Sequence, residues 1–422
     1  MCRTRTGLLA LGIGAALLAF LMPPQGVRSA SASDRESGLH LKVTNPHASY
    51  FDVAARMELL RRTDDPSLIR LRDKHSLGTS CRQLKSVPAL GGEISLPSFH
   101  ESPKDWTLIS EPLARFEQTV SDLAAAWVAS GDRYFADCLV DILHSWARED
   151  ALSRFQFSSA RPGSWYALES MIYSAALAYS TVSGARDIPP KSRQVIETWL
   201  VKIAQHHFSF HTEMRSCCDE HFYRRSLYMA VVGAVTGKDH LFRTGLEAIS
   251  VALDDLNEQG AFSLALRRGW RAIHYQNDIL LHLVLIMQVA HRQGYDLFRS
   301  QANGRGFDDA VAFLMRSLES PHAVPTLPPG QQDLTFTDDG RSFTWMEIWL
   351  SHVDSPAMAQ FVRHYRPIGN ASVGGFATLY FKQPENPRTA LERELDDWEV
   401  SQKVEAAFGA RYPLLKHWKR IQ

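Results

Sequence analysis

EPLARFEQTVSDLAAAWVA, residues 111–129, carries apolar side chains at Leu113, Phe116, Val120, Leu123, Ala124 and Trp127. This spacing stays close to i, i+3, i+4, i+7, the period of an amphipathic helix. Ser130-Gly131-Asp132 supplies a turn, and the pattern resumes over 134–148 at Phe135, Cys138, Leu139, Ile142, Leu143 and Trp146. Two long helices joined by so short a break fold back as an antiparallel hairpin. Outward from this pair the pattern continues. Helices are predicted over 165–183, 190–208, 221–235, 241–256, 270–292, 308–318 and 342–352. The breaks carry Gly, Pro or Ser, as at Ser183-Gly184, Pro189-Pro190, Thr236-Gly237 and Gly294. Alternating strand-like runs are scarce, and 372–381 is the best of them. No strict repeat accompanies the recurring hairpins, so a regular solenoid is not expected. The expected fold class is all-α, one domain of stacked helical hairpins.

Two irregular stretches interrupt this pattern. Residues 91–104 are rich in Pro, Ser and Gly, and 321–339 in Pro, Gly and Asp. Long loops in a compact domain often serve as lids or binding loops. The alternative is that both are exposed insertions.

The N-terminus reads as an export signal over residues 1–32. Arg3 and Arg5 precede an apolar run from Gly7 to Met22, Pro23-Pro24 break it, and Ala30-Ser31-Ala32 offers a cleavage site. An uncleaved anchor is the alternative. No later run reaches about 18 apolar residues, so no membrane span is expected after cleavage, which leaves a single domain over 33–422. The chain has 46 basic and 46 acidic residues, and the signal holds three arginines and no acid. The remainder carries 46 − 3 = 43 basic against 46 acidic residues, near −3. That balance gives no global field for nucleic acid. Any anionic ligand must be held locally, and Arg215, Arg224, Arg225, Arg267, Arg268 and Arg271 form the nearest thing to a basic cluster.

Two segments carry candidate chemistry. Cys217-Cys218-Asp219-Glu220-His221 places a histidine at a predicted helix start, where Asp219 is expected to cap. A histidine near a helix N-terminus tends to stay neutral, which suits a base. About fifty positions on, Arg271, Tyr275 and Asp278 share one face of a predicted helix at i, i+4 and i+7, with His274 on the flank. A guanidinium binds a carboxylate at two points, and Trp270 is placed to stack on a sugar ring. The bland reading of the same stripe is a salt-bridged polar face, with Arg271 paired to Asp278. A metal reading from His206, His207, His211, Glu220 and His221 lacks a recognised ligand spacing, and neither a metal nor a cofactor is expected. There is no phosphate-cradling glycine loop, nucleophile elbow or dinucleotide fingerprint.

Over roughly residues 78–382 the sequence resembles the alginate (poly-mannuronate) lyase family. The blocks that carry the resemblance come in one order: Cys81; 139–147 ending in Trp146-Ala147; Cys217-Cys218-x-x-His221-x-Tyr223; 246–260; Arg267-Arg268-x-x-Arg271-Ala272-x-x-Tyr275-x-Asn277; Phe343-x-Trp345-x-Glu347; and Gly374-Gly375. The resemblance implies an exported, periplasmic protein with an incomplete α/α toroid around a long groove. It implies metal-free β-elimination of a uronate polymer. His221 and Arg271 match the family's catalytic histidine and arginine. Glu220 stands where the family has an asparagine, and Asp278 where it has its catalytic tyrosine. Tyr275 matches another tyrosine of the motif. Trp270, His274, Arg268, Arg225, Trp165 and Trp345 are then expected to contact the sugar chain. The residues alone leave open how Cys81, Cys138, Cys217 and Cys218 pair; the resemblance favours Cys81–Cys138 with Cys217–Cys218.

Three functions follow. The first is a lyase acting as a monomer on an anionic polysaccharide, with His221, Arg271 and Tyr275 at work. The second is a glycoside hydrolase using Glu220 and Asp278 as paired carboxyls. The third is a glycan-binding protein of an export system. An ionised Glu220 about 4 Å from a substrate carboxylate would cost several kcal/mol at protein-like dielectric. Glu220 must therefore be protonated, paired or turned away for the first to hold.

Overall fold

Some helices of this chain are apolar on every side and others on one face only, and that difference sorts them into two layers. The computed structural model describes residues 41–385, apart from 78–80, 82–87, 98–100, 160–161, 186, 211–218 and 329. Residues 1–32, His211, Arg215, Cys217 and Cys218 lie outside the described residues, and with them the expected signal and vicinal cysteine pair.

The helices are α1 (Val53–Arg62), α2 (Pro66–Ser76), α3 (Pro103–Ser130), α4 (Arg133–Arg148), α5 (Gly163–Ser183), α6 (Pro190–Ser209), α7 (Glu220–Thr236), α8 (Asp239–Asp255), α9 (Ser263–Leu266), α10 (Ala272–His291), α11 (Phe307–Glu319), α12 (Thr344–Trp349), α13 (Pro356–Arg363) and α14 (Ala377–Phe381). Helices α3, α5, α7, α10 and α12 pack side by side as an inner row. Nearly every residue of α5 from Trp165 to Ser183 is buried, and so is the run from Ile279 to Ala290 of α10. Helices α4, α6, α8 and α11 pack outside them and bury one stripe each, as α4 does with Phe135, Cys138, Leu139, Ile142, Leu143 and Trp146. Each fully buried large side chain contributes about 1.5–3 kcal/mol. This is an incomplete α/α toroid of antiparallel hairpins, as the sequence led one to expect.

The hairpins end where local chemistry dictates. Gly131 takes a left-handed φ of 68° as the C-cap of α3, and Asp132 accepts from Tyr134 N to start α4. In the α7–α8 pair the backbones nearly touch: a Cβ on Gly245 would stand 2.4 Å from Ala230 N. Only glycine fits there.

Three expectations need correcting. Residues 372–381 form no strand; Gly374 and Gly375 adopt positive φ, and α14 follows. Residues 270–292 are not one helix. Gly269, at φ 62°, starts a 3-10 turn through Arg271, and α10 begins only at Ala272. Likewise 342–352 splits into a 3-10 turn over Gly340–Phe343, the short α12 and a turn. Helices α1 and α2 were not anticipated, although Asp52 and Asp65-Pro66 cap them in the usual way.

Cys81 and Cys138 form a disulfide across 57 positions of chain. Loop-closure entropy for that span corresponds to about 4 kcal/mol. Cys81→Ala is therefore expected to lower unfolding stability by about 4 kcal/mol, read from the denaturant midpoint of oxidised protein.

Candidate active site

Helices α5, α7 and α10 bring their first turns to one end of the inner row, and side-chain bonds tie the three together. Glu169 of α5 is fully buried and accepts from His221 Nδ1 of α7 at 2.7 Å and from Arg225 Nη1 at 2.7 Å. Arg224 of α7 reaches both carboxylate oxygens of Asp278 of α10 at 3.0 Å. Glu220 of α7 is bonded to Arg268, just upstream of α10.

His221 has one nitrogen committed and one free to work. Burial pushes the Glu169 carboxyl up, but His221 and Arg225 reverse that and hold it below the ordinary carboxylate range. An ionised Glu169 only accepts, so Nδ1 is the donor and Nε2 is the nitrogen left without a hydrogen bond among the described residues. Nε2 lies 4.0 Å from Glu220 Oε1. The Tyr166 ring stacks on the imidazole, centroids 3.4 Å apart and 9° between planes. As anticipated, Asp219 caps α7, accepting from Phe222 N at 3.1 Å.

The contacts continue from His221 through Glu220 and Arg268 to Tyr275, whose ring lies 4.6 Å under the Arg268 guanidinium. Burial and Glu220 raise the Tyr275 phenol above its ordinary value, against the pull of Arg268 and Arg271. Tyr275 is thus a neutral hydroxyl, a donor, at neutral pH. Arg271 lies within the same field. Its guanidinium lies 4.5 Å over the Trp270 ring, and Trp270 is 56% exposed. Among the described residues the Arg271 side chain makes no hydrogen bond; its one ion contact is Asp333 Oδ2, 3.5 Å from Nε.

Several expected roles change. Arg271 is not on a stripe with Tyr275 and Asp278, because the helix starts after it. The Arg271–Asp278 pair does not form; Asp278 belongs to Arg224. Burial raises the Asp278 carboxyl, but Arg224 and His282 outweigh it and hold it at about 2. Trp165 and Trp345 are fully buried and reach no groove. The Trp165 indole donates to His207 O at 3.0 Å and backs Arg225 at 4.4 Å. The Trp345 indole donates to Asn277 Oδ1 at 2.9 Å. Arg225 is also fully buried and orients Glu169, not a ligand. His207 is engaged on both nitrogens, by Tyr228 Oη at 2.8 Å and Trp165 O at 2.7 Å. His274 stacks on Phe336 at 5.0 Å, and burial lowers its pKa. Of the six arginines in the expected basic cluster, Arg224, Arg225, Arg268 and Arg271 each face a carboxylate.

Glu169, Tyr166 and Asp333 were missed. Glu169 had a signal, since it is the one charged residue in the apolar run 165–183. A buried carboxylate needs a partner.

A family model described as Alginate lyase matches residues 92–324, more than half of the chain. The chain belongs to the alginate lyase family. Among characterised members, a polysaccharide lyase of Stenotrophomonas maltophilia is 27% identical over 210 residues, 50% of this chain and 62% of that protein, so under two thirds of its length is spanned. An alginate lyase of Pseudomonas syringae pv. syringae is 24% identical over 297 residues, covering 68% of this chain and 75% of that one. Among solved structures, alginate lyase A1-III from Sphingomonas species A1 superposes with a TM-score of 0.74 at 29% identity, over 81% of this chain and 98% of that one. A histidine-to-alanine variant of alginate lyase A1-III, complexed with tetrasaccharide, gives 0.75 at 28% identity, over 82% and 98%. No helix among the described residues is long and apolar enough to cross a membrane.

Proposed function

We propose that this chain is a polysaccharide lyase that cleaves a uronate-containing, alginate-like polymer by β-elimination. The observation that carries this reading is Arg271. Its guanidinium makes no hydrogen bond among the described residues and has one ion contact, to Asp333; it is backed by an exposed indole, and it lies in one field with a neutral tyrosine hydroxyl linked through Glu220 and Arg268 to a glutamate-oriented histidine. β-Elimination needs a cation on the uronate carboxylate, a base for the C5 proton and an acid for the leaving O4. Arg271 binds the carboxylate. His221 Nε2 takes the C5 proton, and the C–H electrons form the C4–C5 double bond as the C4–O4 bond breaks. Tyr275 gives O4 its proton. Proton return from imidazolium to tyrosinate resets the site. Glu220 is held by Arg268, which offsets its repulsion of the substrate.

The hydrolase alternative is disfavoured because both of its carboxyls are engaged by arginines. Hydrolysis needs one protonated acid and one free base, whereas Asp278 is ionised with both oxygens on Arg224, and Glu220 is bonded to Arg268. Tyr275→Phe is expected to lower kcat about 100-fold, while Asp278→Asn leaves a product with a double bond. Loss of cleavage in the second variant and retention in the first, by steady-state kinetics, would favour hydrolysis instead. Family membership and the apolar N-terminal run support export to the periplasm with removal of residues 1–32, and action as a single-domain monomer.

A further inference from the structure

Arg224, Arg225, Arg268 and Arg271 each face a carboxylate, and the four contacts differ in kind. Arg225–Glu169, Arg224–Asp278 and Arg268–Glu220 are hydrogen-bonded. Arg271–Asp333 is an ion contact at 3.5 Å without a hydrogen bond among the described residues, and the Arg271 side chain is 36% exposed. An anionic sugar meets a protein carboxylate beside each of these four guanidinia, and Arg271, whose side chain makes no hydrogen bond among the described residues, is the one whose carboxylate neighbour yields.

The Asp333 Oδ2 atom stays near Arg271 without being needed to hold its loop. The loop is fixed by Asp333 N donating to Trp270 O at 2.7 Å, by Gln332, whose side chain accepts from Ile273 N and donates to Gly269 O at 3.3 Å each, and by Phe336 on His274. The Asp333 Oδ1 atom accepts from Thr335 N at 3.1 Å and Thr335 Oγ1 at 2.7 Å, which turns Oδ2 toward Arg271.

Building on the lyase reading, we propose that Asp333 is a specificity-determining residue: an internal carboxylate that occupies Arg271 until a uronate carboxylate displaces it. It sets the threshold for binding at this subsite. A sugar acid able to make a two-point contact with the guanidinium wins the exchange, and a sugar without a carboxylate gains nothing from it.

The test is Asp333→Asn in the complete mature chain, because Asn keeps the Oδ1 acceptor and the backbone bond. Trimannuronate binding is measured by titration calorimetry at low salt, beside its methyl ester, and kcat and KM are measured on polymannuronate. The expected result is a Kd and KM lower by about fivefold for the acid, kcat within about twofold, and an unchanged Kd for the ester. Unchanged or weaker binding of the acid overturns the assignment, as does equal tightening for the ester. Gln332→Ala loosens the same loop with Asp333 in place. If it tightens acid binding as Asn does, loop freedom and not charge is responsible, and the assignment falls. If neither protein binds the acid, the assignment falls as well. If Asp333→Asn tightens binding but no wild-type product carries a double bond, elimination is wrong and the Asp333 assignment stands.

Discussion

Replacing His221 with alanine or glutamine is expected to lower kcat on a uronate polymer by about a thousandfold. The magnitude follows from position. Nε2 makes no hydrogen bond among the described residues and has a fixed orientation. That orientation comes from the 2.7 Å bond of Nδ1 to Glu169 and the stacked Tyr166 ring. Alanine has a second effect, because it removes a partner from a fully buried carboxylate that then relies on Arg225. An unmet buried acceptor costs about 1–3 kcal/mol, so the alanine variant should also unfold at lower denaturant. Glutamine can still donate to Glu169 and should keep more of that stability while remaining as inactive. Equal kinetics with unequal stability separates the chemical role of the ring from its structural one. A glutamine variant with near wild-type kcat would remove His221 from the mechanism.

Arg271→Lys is expected to lower kcat/KM by about 100- to 1,000-fold, shared between the two constants. Lysine keeps the charge and loses the planar fork and the stack on Trp270. Taking the C5 proton moves negative charge onto the substrate carboxylate, so the contact to Arg271 strengthens as the barrier is climbed. A residue that only bound the polymer would raise KM alone. A fall in kcat of at least tenfold at saturating substrate is therefore the diagnostic part. Steady-state kinetics over a wide substrate range reads both constants. An unchanged kcat would reduce Arg271 to an anchor.

The helical architecture was legible because burial here follows periodicity. Helix α4 shows a clean stripe, and its start is punctuated by Gly131 and Asp132. Failures fell where conformation depends on one residue or on distant partners. Gly269 breaks a run that reads as continuous helix, since a φ of 62° leaves no trace in hydrophobic spacing. Strand-like alternation over 372–381 was overridden by two glycines with positive φ. In the site, residue types were easier to read than pairings. Arg271 and Asp278 sit seven residues apart in sequence, yet each pairs with an opposite charge elsewhere, Arg271 with a loop and Asp278 with α7. Trp165 and Trp345 looked like sugar platforms because tryptophan serves both purposes; only the packing of α5 and α12 assigns them to the interior. The resemblance pointed to His221 and Arg271 but not to Glu169, since the family blocks named from the sequence do not include it.

The masses of the fragments released from polymannuronate by the purified protein bear most directly on the central claim. Elimination breaks C4–O4 without adding anything, so fragment masses sum to that of the parent chain and each new non-reducing end carries a C4–C5 double bond. Fragments heavier by one water per cut, with no unsaturated end, would contradict the roles given to His221, Arg271 and Tyr275.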